Sequence, residues 1–247
     1  MHKNTQSLNS QFIKSPEYLK DFFAGLAPGY DRFNRVASLF LDGYWRDRVA
    51  TFARPGMSVL DLCTGTGDLA FRIAKKIGPQ GRLVGVDFSE EMLSLAQKKK
   101  DKLDLDSRVS FRLSRAEDLP FESESFDLVV SAFAMRNVRA NLGKVLNEIF
   151  RVLRPGGQTV ILEFSRPEFF ILSLLHFLYL KTLIPLDAKL IFGSKWSSDY
   201  LTESVLHFFK AADFCKKLYQ AGFSQVRYFS LNFGIVTIHR GRKESRY

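Results

Sequence analysis

The strongest constraint on this chain is the order of two apolar runs around a glycine-rich turn. Val59-Leu60-Asp61-Leu62 breaks at Cys63-Thr64-Gly65-Thr66-Gly67-Asp68, a helical pattern follows, and Leu83-Val84-Gly85-Val86 ends on Asp87, 20 residues after Gly67. Strand, turn, helix, strand and terminal acid in that order make a βαβ nucleotide site. Gly65 and Gly67 let the backbone turn sharply and approach a ligand with no side chain between. Asp87, followed by Phe88, is placed to accept hydrogen bonds from the two hydroxyls of a ribose, so adenosine is the expected common element of the ligand.

Gly65-x-Gly67-x-x-Ala70 also fits the dinucleotide fingerprint, so the glycines alone leave the cofactor open. The acids discriminate. A dinucleotide lays its doubly charged diphosphate over such a turn, where Asp61 and Asp68 would repel it and compete for the helix N-terminus. S-adenosylmethionine has no phosphate and carries an ammonium and a sulfonium, which carboxylates at strand ends complement.

Further landmarks follow in order: Ala116-Glu117-Asp118-Leu119-Pro120-Phe121, Ser125-Phe126-Asp127-Leu128-Val129-Val130-Ser131, and Arg151-Val152-Leu153-Arg154-Pro155-Gly156-Gly157 leading into Thr159 to Phe164. From Leu60 to Phe164 the chain resembles a class I S-adenosylmethionine-dependent methyltransferase. The resemblance implies cofactor contacts from Asp61, Gly65, Thr66, Gly67, Asp87, Phe88, Arg115, Ala116 and Ala132. Closer still is the subfamily that methylates the ring carbon of prenylated quinols in menaquinone and ubiquinone synthesis. Tyr30-Asp31-Arg32-Phe33-Asn34 with Ser38 and Trp45, Phe133-Ala134-Met135-Arg136-Asn137-Val138, Arg151 through Ser165, and Gly234 to Gly241 carry that match. The chain departs from the subfamily at Phe33 (usually Met), Asp42 (usually His), Arg115 (usually Asn) and Ala132 (usually Ser or Gly). Asp42 removes the imidazole from that position. Arg115 implies that adenine is held through the backbone and Ala116.

At 247 residues with 46% hydrophobic content the chain can bury one substantial core, and a single methyltransferase domain over 1–247 is expected. Within it, 1–50 reads as an N-terminal helical cap, 57–164 as the cofactor-binding core, 167–200 as an apolar lid insertion, and 210–240 as a closing helix and hairpin. From Met57 strands and helices alternate: a strand to Leu62, a helix over Asp68 to Ile77, a strand over Arg82 to Val86, a helix opened by Ser89 as N-cap, and strands near Val109 to Leu113 and Phe126 to Ser131. A helix over Asn141 to Leu153 then ends at Pro155-Gly156-Gly157, and Thr159 to Phe164 is the fifth strand. Such alternation predicts an α/β fold, a doubly wound sheet. Phe223 to Leu231 and Ile235 to His239, joined by Asn232-Phe233-Gly234, form a hairpin that resembles the antiparallel last strand of class I methyltransferases, so seven strands are expected in a mostly parallel, Rossmann-like sheet.

The aromatic-rich first fifty residues read either as core packing or as a cap that presents Tyr30 to an aromatic substrate. Phe169 to Leu180 is almost wholly apolar, but Lys181 and Pro185 arrive before the ~20 residues of a bilayer span. That run reads either as a helix buried on the sheet edge or as a lid that shelters an isoprenoid tail and touches the membrane. His176 within it reads as a packed residue, and no metal is expected. Two cysteines form neither a C-x-x-C pair nor a disulfide framework, and polar Met1 to Gln11 lacks an apolar signal core, so a cytoplasmic location is expected, with peripheral contact at the inner face of the membrane. The net charge of +10 admits nucleic acid or an anionic membrane as partner. Lys98-Lys99-Lys100 and Lys102 read as a solvated helix face.

S-adenosylmethionine brings its own electrophile, so the protein must align a nucleophile and exclude water. A quinone ring carbon is electron-poor and a quinol is not, so the expected acceptor is the reduced, prenylated quinol, with demethylmenaquinol preferred over a benzoquinol. Arg136 and Asn137, just past the fourth strand, are the first catalytic candidates: Arg136 to stabilise phenolate charge, Asn137 to orient the hydroxyl, with loop anchoring by an ion pair as the competing role of Arg136. Tyr30 is the third. A nucleic-acid methyltransferase would use an N/D-P-P-Y segment or a cysteine nucleophile, whereas this chain has Ser131-Ala132-Phe133-Ala134 and places Cys63 in the cofactor turn. No nucleic-acid partner is therefore expected.

Overall fold

A computed structural model describes residues 15–103, 105, 108–167, 169–193 and 198–245. The polar start, Met1 to Gln11, lies outside them. Helix α1 (Pro16–Leu26), a 3-10 turn at Ala27–Gly29, α2 (Tyr30–Ala37) and α3 (Asp42–Ala50) precede the sheet. Then come β1 (Ser58–Leu62), α4 (Asp68–Ile77), β2 (Arg82–Asp87), α5 (Glu90–Lys102), β3 (Val109–Leu113), β4 (Phe126–Ala132), α6 (Leu142–Val152) and β5 (Leu153–Phe164). Helices α7 (Phe170–Phe192), α8 (Ser198–Leu206) and α9 (Ala211–Gln220) lead to β6 (Ser224–Leu231) and β7 (Val236–Arg242).

Among the described residues, seven strands form one sheet in the order β3-β2-β1-β4-β5-β7-β6. β1 to β5 pair in parallel, and β7 runs antiparallel to both β5 and β6. The order reverses between β1 and β4, the switch point outside which a doubly wound sheet binds its ligands. Successive strand residues point to opposite faces, and both faces are covered. Leu60, Leu62, Val129 and Ile161 pack with α6 and α9, while Val59, Val130 and Leu162 pack with α3 and α4. That is why the central strands carry continuous apolar runs.

Two boundaries differ from the sequence reading. The register jumps from Phe126 opposite Leu153 to Leu128 opposite Gln158, so Pro155-Gly156-Gly157 is a bulge inside β5 and does not precede the strand. Pairing captured the turn because Gly156 sits at φ +81°, a conformation glycine adopts freely. Helix α7 continues through Pro185 to Phe192, 23 residues in all, and is long and apolar enough to cross a membrane by length and composition. The buried stripe His176, Leu180, Ile184, Ala188 holds it past the proline. Leu180, Ile184 and Ala188 pack on Phe33 of α2 and Val205 of α8, so α7 lies on helices and not on the sheet edge.

Gly85 is a constraint that the sequence did not announce. A Cβ there would stand 2.7 Å from the Phe111 ring and 2.9 Å from Thr64 Oγ1. Gly85→Ala is expected to destabilise the protein by about 1–3 kcal/mol, read as a lower urea midpoint, because Phe111 of β3 and Thr64 of the turn after β1 must give way.

Candidate active site

The carboxyl ends of β1, β2 and β4 meet the N-terminal helices at a cavity of about 480 Å³. Gly65 (φ +57°) and Gly67 (φ +84°) shape the turn, and Gly67 leads into α4. Cys63 (φ 56°) and Phe133 (φ 59°), each one residue beyond its strand, hold left-handed backbone without being glycine, strain of the kind that concentrates at ligand sites. Asp87 lines the cavity. Its Oδ2 accepts from Gly65 N–H at 2.8 Å and its Oδ1 from Ser89 N–H at 3.0 Å. Burial raises its pKa, while these backbone donors favour the carboxylate. Each oxygen keeps a lone pair for a ribose hydroxyl.

Of the other expected cofactor residues, Gly65, Phe88, Arg115, Ala116 and Ala132 line the same cavity. Arg115 pairs its guanidinium with Glu117, also on that wall, at 2.6 Å. Asp61, Thr66 and Gly67 are not on that wall. Asp61 is 1% exposed and accepts from Thr64 Oγ1 at 2.6 Å, beneath the turn. Thr66 donates to Asp31 at 2.6 Å and so ties the turn to α2.

Lys99 departs from the solvated-face reading. It lies on the side of α5 that carries Met92 and Ala96, seven and three residues back, and bridges Asp31 at 2.6 Å and Asp68 at 2.7 Å. Burial works against the Asp68 charge, but Lys99 outweighs it and holds the carboxyl below its ordinary range. Asp68 is thus neutralised, and the charge facing a ligand at this turn falls to Asp87, with Asp61 behind it.

Burial drives the Asp61 pKa up to about 7, against the Thr64 hydrogen bond. A folded value above the unfolded one means stability fully present below about pH 4 and lost as pH rises through 7. The ligand-free protein should lose stability from about pH 4 to 7, and Asp61→Asn, which keeps the Thr64 bond, should remove that loss, on the order of 4 kcal/mol over the whole window, read as unfolding free energies from urea titrations.

A second cavity of about 380 Å³ adjoins the first and is lined by α2, α3, α7 and α8. Phe23, Tyr30 and Phe133 line both. The two catalytic candidates past β4 divide between them: Asn137 lines the first cavity and Arg136 the second. Asn137 Oδ1 accepts from Tyr200 at 2.8 Å, which leaves its amide N–H₂ to donate elsewhere. Arg136 is 9% exposed, its Nη1 lies 3.4 Å from Glu163 and also donates to the Phe133 carbonyl, and its guanidinium stands over the Phe164 ring. Glu163 is fully buried. Burial raises its pKa, with Arg136 the main opposing influence. Anchoring by an ion pair is therefore one role of Arg136, and contact with the second cavity is another. The Tyr30 phenol is pushed up by burial, against Arg136 and Arg46, so at neutral pH it is a donor and not a base.

Sequence reasoning missed Phe23 and Tyr200. Phe23 was one of many aromatics, and Tyr200 sits in a segment without a motif. Asp42 also lines the second cavity, 3% exposed and paired with Arg46 at 2.8 Å, so its charge is already matched.

A parallel sheet with an antiparallel seventh strand, and a cavity that combines a glycine turn with a buried acid at the end of β2, define a class I S-adenosylmethionine-dependent methyltransferase. The fold is that of a solved S-adenosylmethionine-dependent methyltransferase from Aquifex aeolicus, with a TM-score of 0.59 over 79% of this chain and 88% of that one at 22% identity. The chain belongs to the ubiE/COQ5 methyltransferase family, whose model matches residues 11–243. It is 36% identical over 230 residues to the ubiquinone/menaquinone biosynthesis C-methyltransferase UbiE of Geotalea daltonii, covering 92% of this chain and 97% of that protein. It is 38% identical over 234 residues to the demethylmenaquinone methyltransferase of Lactobacillus johnsonii, covering 94% and 95%.

Proposed function

We propose that this enzyme methylates a ring carbon of a prenylated quinol, demethylmenaquinol, held in the second cavity. The observation that carries the reading is the common wall: Phe23, Tyr30 and Phe133 separate the cavity at the glycine turn from an apolar one that reaches Leu172, Leu175 and Ile184 of α7. When bound, S-adenosylmethionine supplies the methyl electrophile. The protein brings the ring carbon into line, and such alignment alone contributes roughly 7–11 kcal/mol. Asp87 holds the ribose, Phe88, Arg115, Ala116 and Ala132 border the adenosine, and Gly65 lets the backbone approach. Asp61, about half ionised at neutral pH in the ligand-free protein, supplies charge from beneath as the cationic donor binds. Thr66 and Gly67 act by shaping the turn.

On the acceptor side Arg136 offsets the negative charge that grows on the quinol oxygen as its proton leaves, Asn137 orients a hydroxyl through the amide that Tyr200 fixes, and Tyr30 donates from the dividing wall. Trp45 meets Phe133 and Phe164 edge-to-face there, those two rings lie tilted on each other, and the cluster excludes water. The isoprenoid tail brings the protein to the cytoplasmic face of the membrane as a peripheral enzyme, and the net charge of +10 suits an anionic lipid surface.

The test is methyl transfer by the purified protein to reduced short-chain demethylmenaquinol and to the matching benzoquinol, read by product mass. Methylation of the naphthoquinol is the expected result. Turnover of the benzoquinol alone would move the acceptor to ubiquinone precursors, and turnover of neither would end the reading.

A further inference from the structure

The second cavity opens into an apolar rim drawn from three separate parts of the chain. Leu39 (66% exposed), Phe233 (75%) and Leu175 (57%) line the cavity and face solvent. Around them Phe40, Phe169, Phe170, Ile171 and Leu174 are also exposed. Leu39, Phe40 and Phe233 hold positive φ, between 51° and 65°, an unfavourable backbone for such residues. Two strained turns thus present bulky apolar side chains outward at one opening. Exposed apolar surface of this continuity marks an interaction site.

We infer that this rim is where an anionic lipid bilayer docks, with the first turns of α7, Leu39-Phe40 and Phe233 inserted into its interface so that the acceptor tail passes from the bilayer straight into the cavity. This deepens the reading above and rests on it for the identity of the tail. Two features select a lipid surface. The rim is continuous with the cavity that takes the tail, and exposed Arg32, Arg166 and Lys189 sit on or next to the helices that border it, in a chain of net charge +10. Helix α7 lies in the interface and does not span it: Leu180, Ile184 and Ala188 stay packed on Phe33 and Val205, contacts that spanning would strip away.

The test uses the purified full chain with vesicles of phosphatidylglycerol and phosphatidylethanolamine, and with phosphatidylcholine vesicles as the neutral comparison. The variant Phe170→Ser/Ile171→Ser/Leu174→Ser and, on a separate element, Phe40→Ser change rim residues outside the cavity lining. Wild type should float with the anionic vesicles. The triple variant should bind at least ten-fold less, methylate long-tailed quinol embedded in vesicles at least ten-fold more slowly, and turn over short-chain quinol in solution within two-fold of wild type. Phe170→Trp and Phe40→Trp, quenched by brominated lipids, report insertion independently of how the triple variant folds. Unchanged flotation of the triple variant, or unquenched tryptophans, overturns the proposal. A wild-type dimer that the variant converts to monomer without any vesicle binding also overturns it and makes the face a subunit contact. Vesicle binding without turnover of any quinol leaves the docking surface standing and removes the acceptor assignment instead.

Discussion

Asp87→Ala should weaken S-adenosylhomocysteine binding by ~10²–10⁴-fold, the largest effect expected of any single side chain at the donor site. Two hydroxyl-to-carboxylate bonds, each contributing about 1.5–3 kcal/mol, are lost together. The same change orphans the N–H groups of Gly65 and Ser89, which now converge on the two carboxylate oxygens at 2.8 and 3.0 Å, so the turn itself loosens. Asp87→Asn keeps one acceptor oxygen and should lose less. Calorimetric titration of both variants checks the order, and an Asp87→Ala protein that binds the nucleoside as tightly as wild type would remove Asp87 from the ribose. Dinucleotides serve as the control, since they too present a ribose to such an acid and differ in the diphosphate they would lay over the turn.

Arg136→Ala should lower kcat by ~10²–10³-fold, the loss seen when a donor to developing oxyanion charge is removed. Because Arg136 lines the second cavity and not the first, S-adenosylhomocysteine affinity should stay within a few-fold of wild type. Stability responds separately. Removing the guanidinium leaves Glu163, which is 0% exposed, as an unmatched buried charge, at a cost of about 3–5 kcal/mol unless it takes up a proton. The double variant Arg136→Ala/Glu163→Gln separates the two roles: it should recover much of the lost stability and none of the turnover. Recovered turnover would reduce Arg136 to an anchor for the loop after β4, and equal losses of turnover and cofactor affinity would contradict its placement on the acceptor side.

The glycine turn and Asp87 were legible in the chain because what they need is local. Positive φ at Gly65 and Gly67 is a property of each residue, and Asp87 meets Gly65 through a hydrogen bond within one βαβ unit. Strand identity was legible for the same reason, down to the Ser89 cap, whose Oγ accepts from Met92 N–H at 3.3 Å. Asp61 was read as facing the donor because sequence position puts it at a strand end. Which way it turns depends on Thr64. Lys99 reads as one lysine in a charged run until α5 packs against the turn and brings Asp31 and Asp68 to it. Pro185 reads as a helix end until the stripe below it finds Phe33 and Val205.

The chain alone determined the α/β alternation, the cofactor turn and the family, since periodicity, glycine conformation and ordered motifs are carried by neighbouring residues. Tertiary structure decided that the two cavities meet across Phe23, Tyr30 and Phe133, and that Tyr200 reaches Asn137 from 63 residues away and Trp45 reaches Asn232 from 187. Those contacts join elements that no local pattern relates, and they exist only once the sheet has ordered the helices around its switch point.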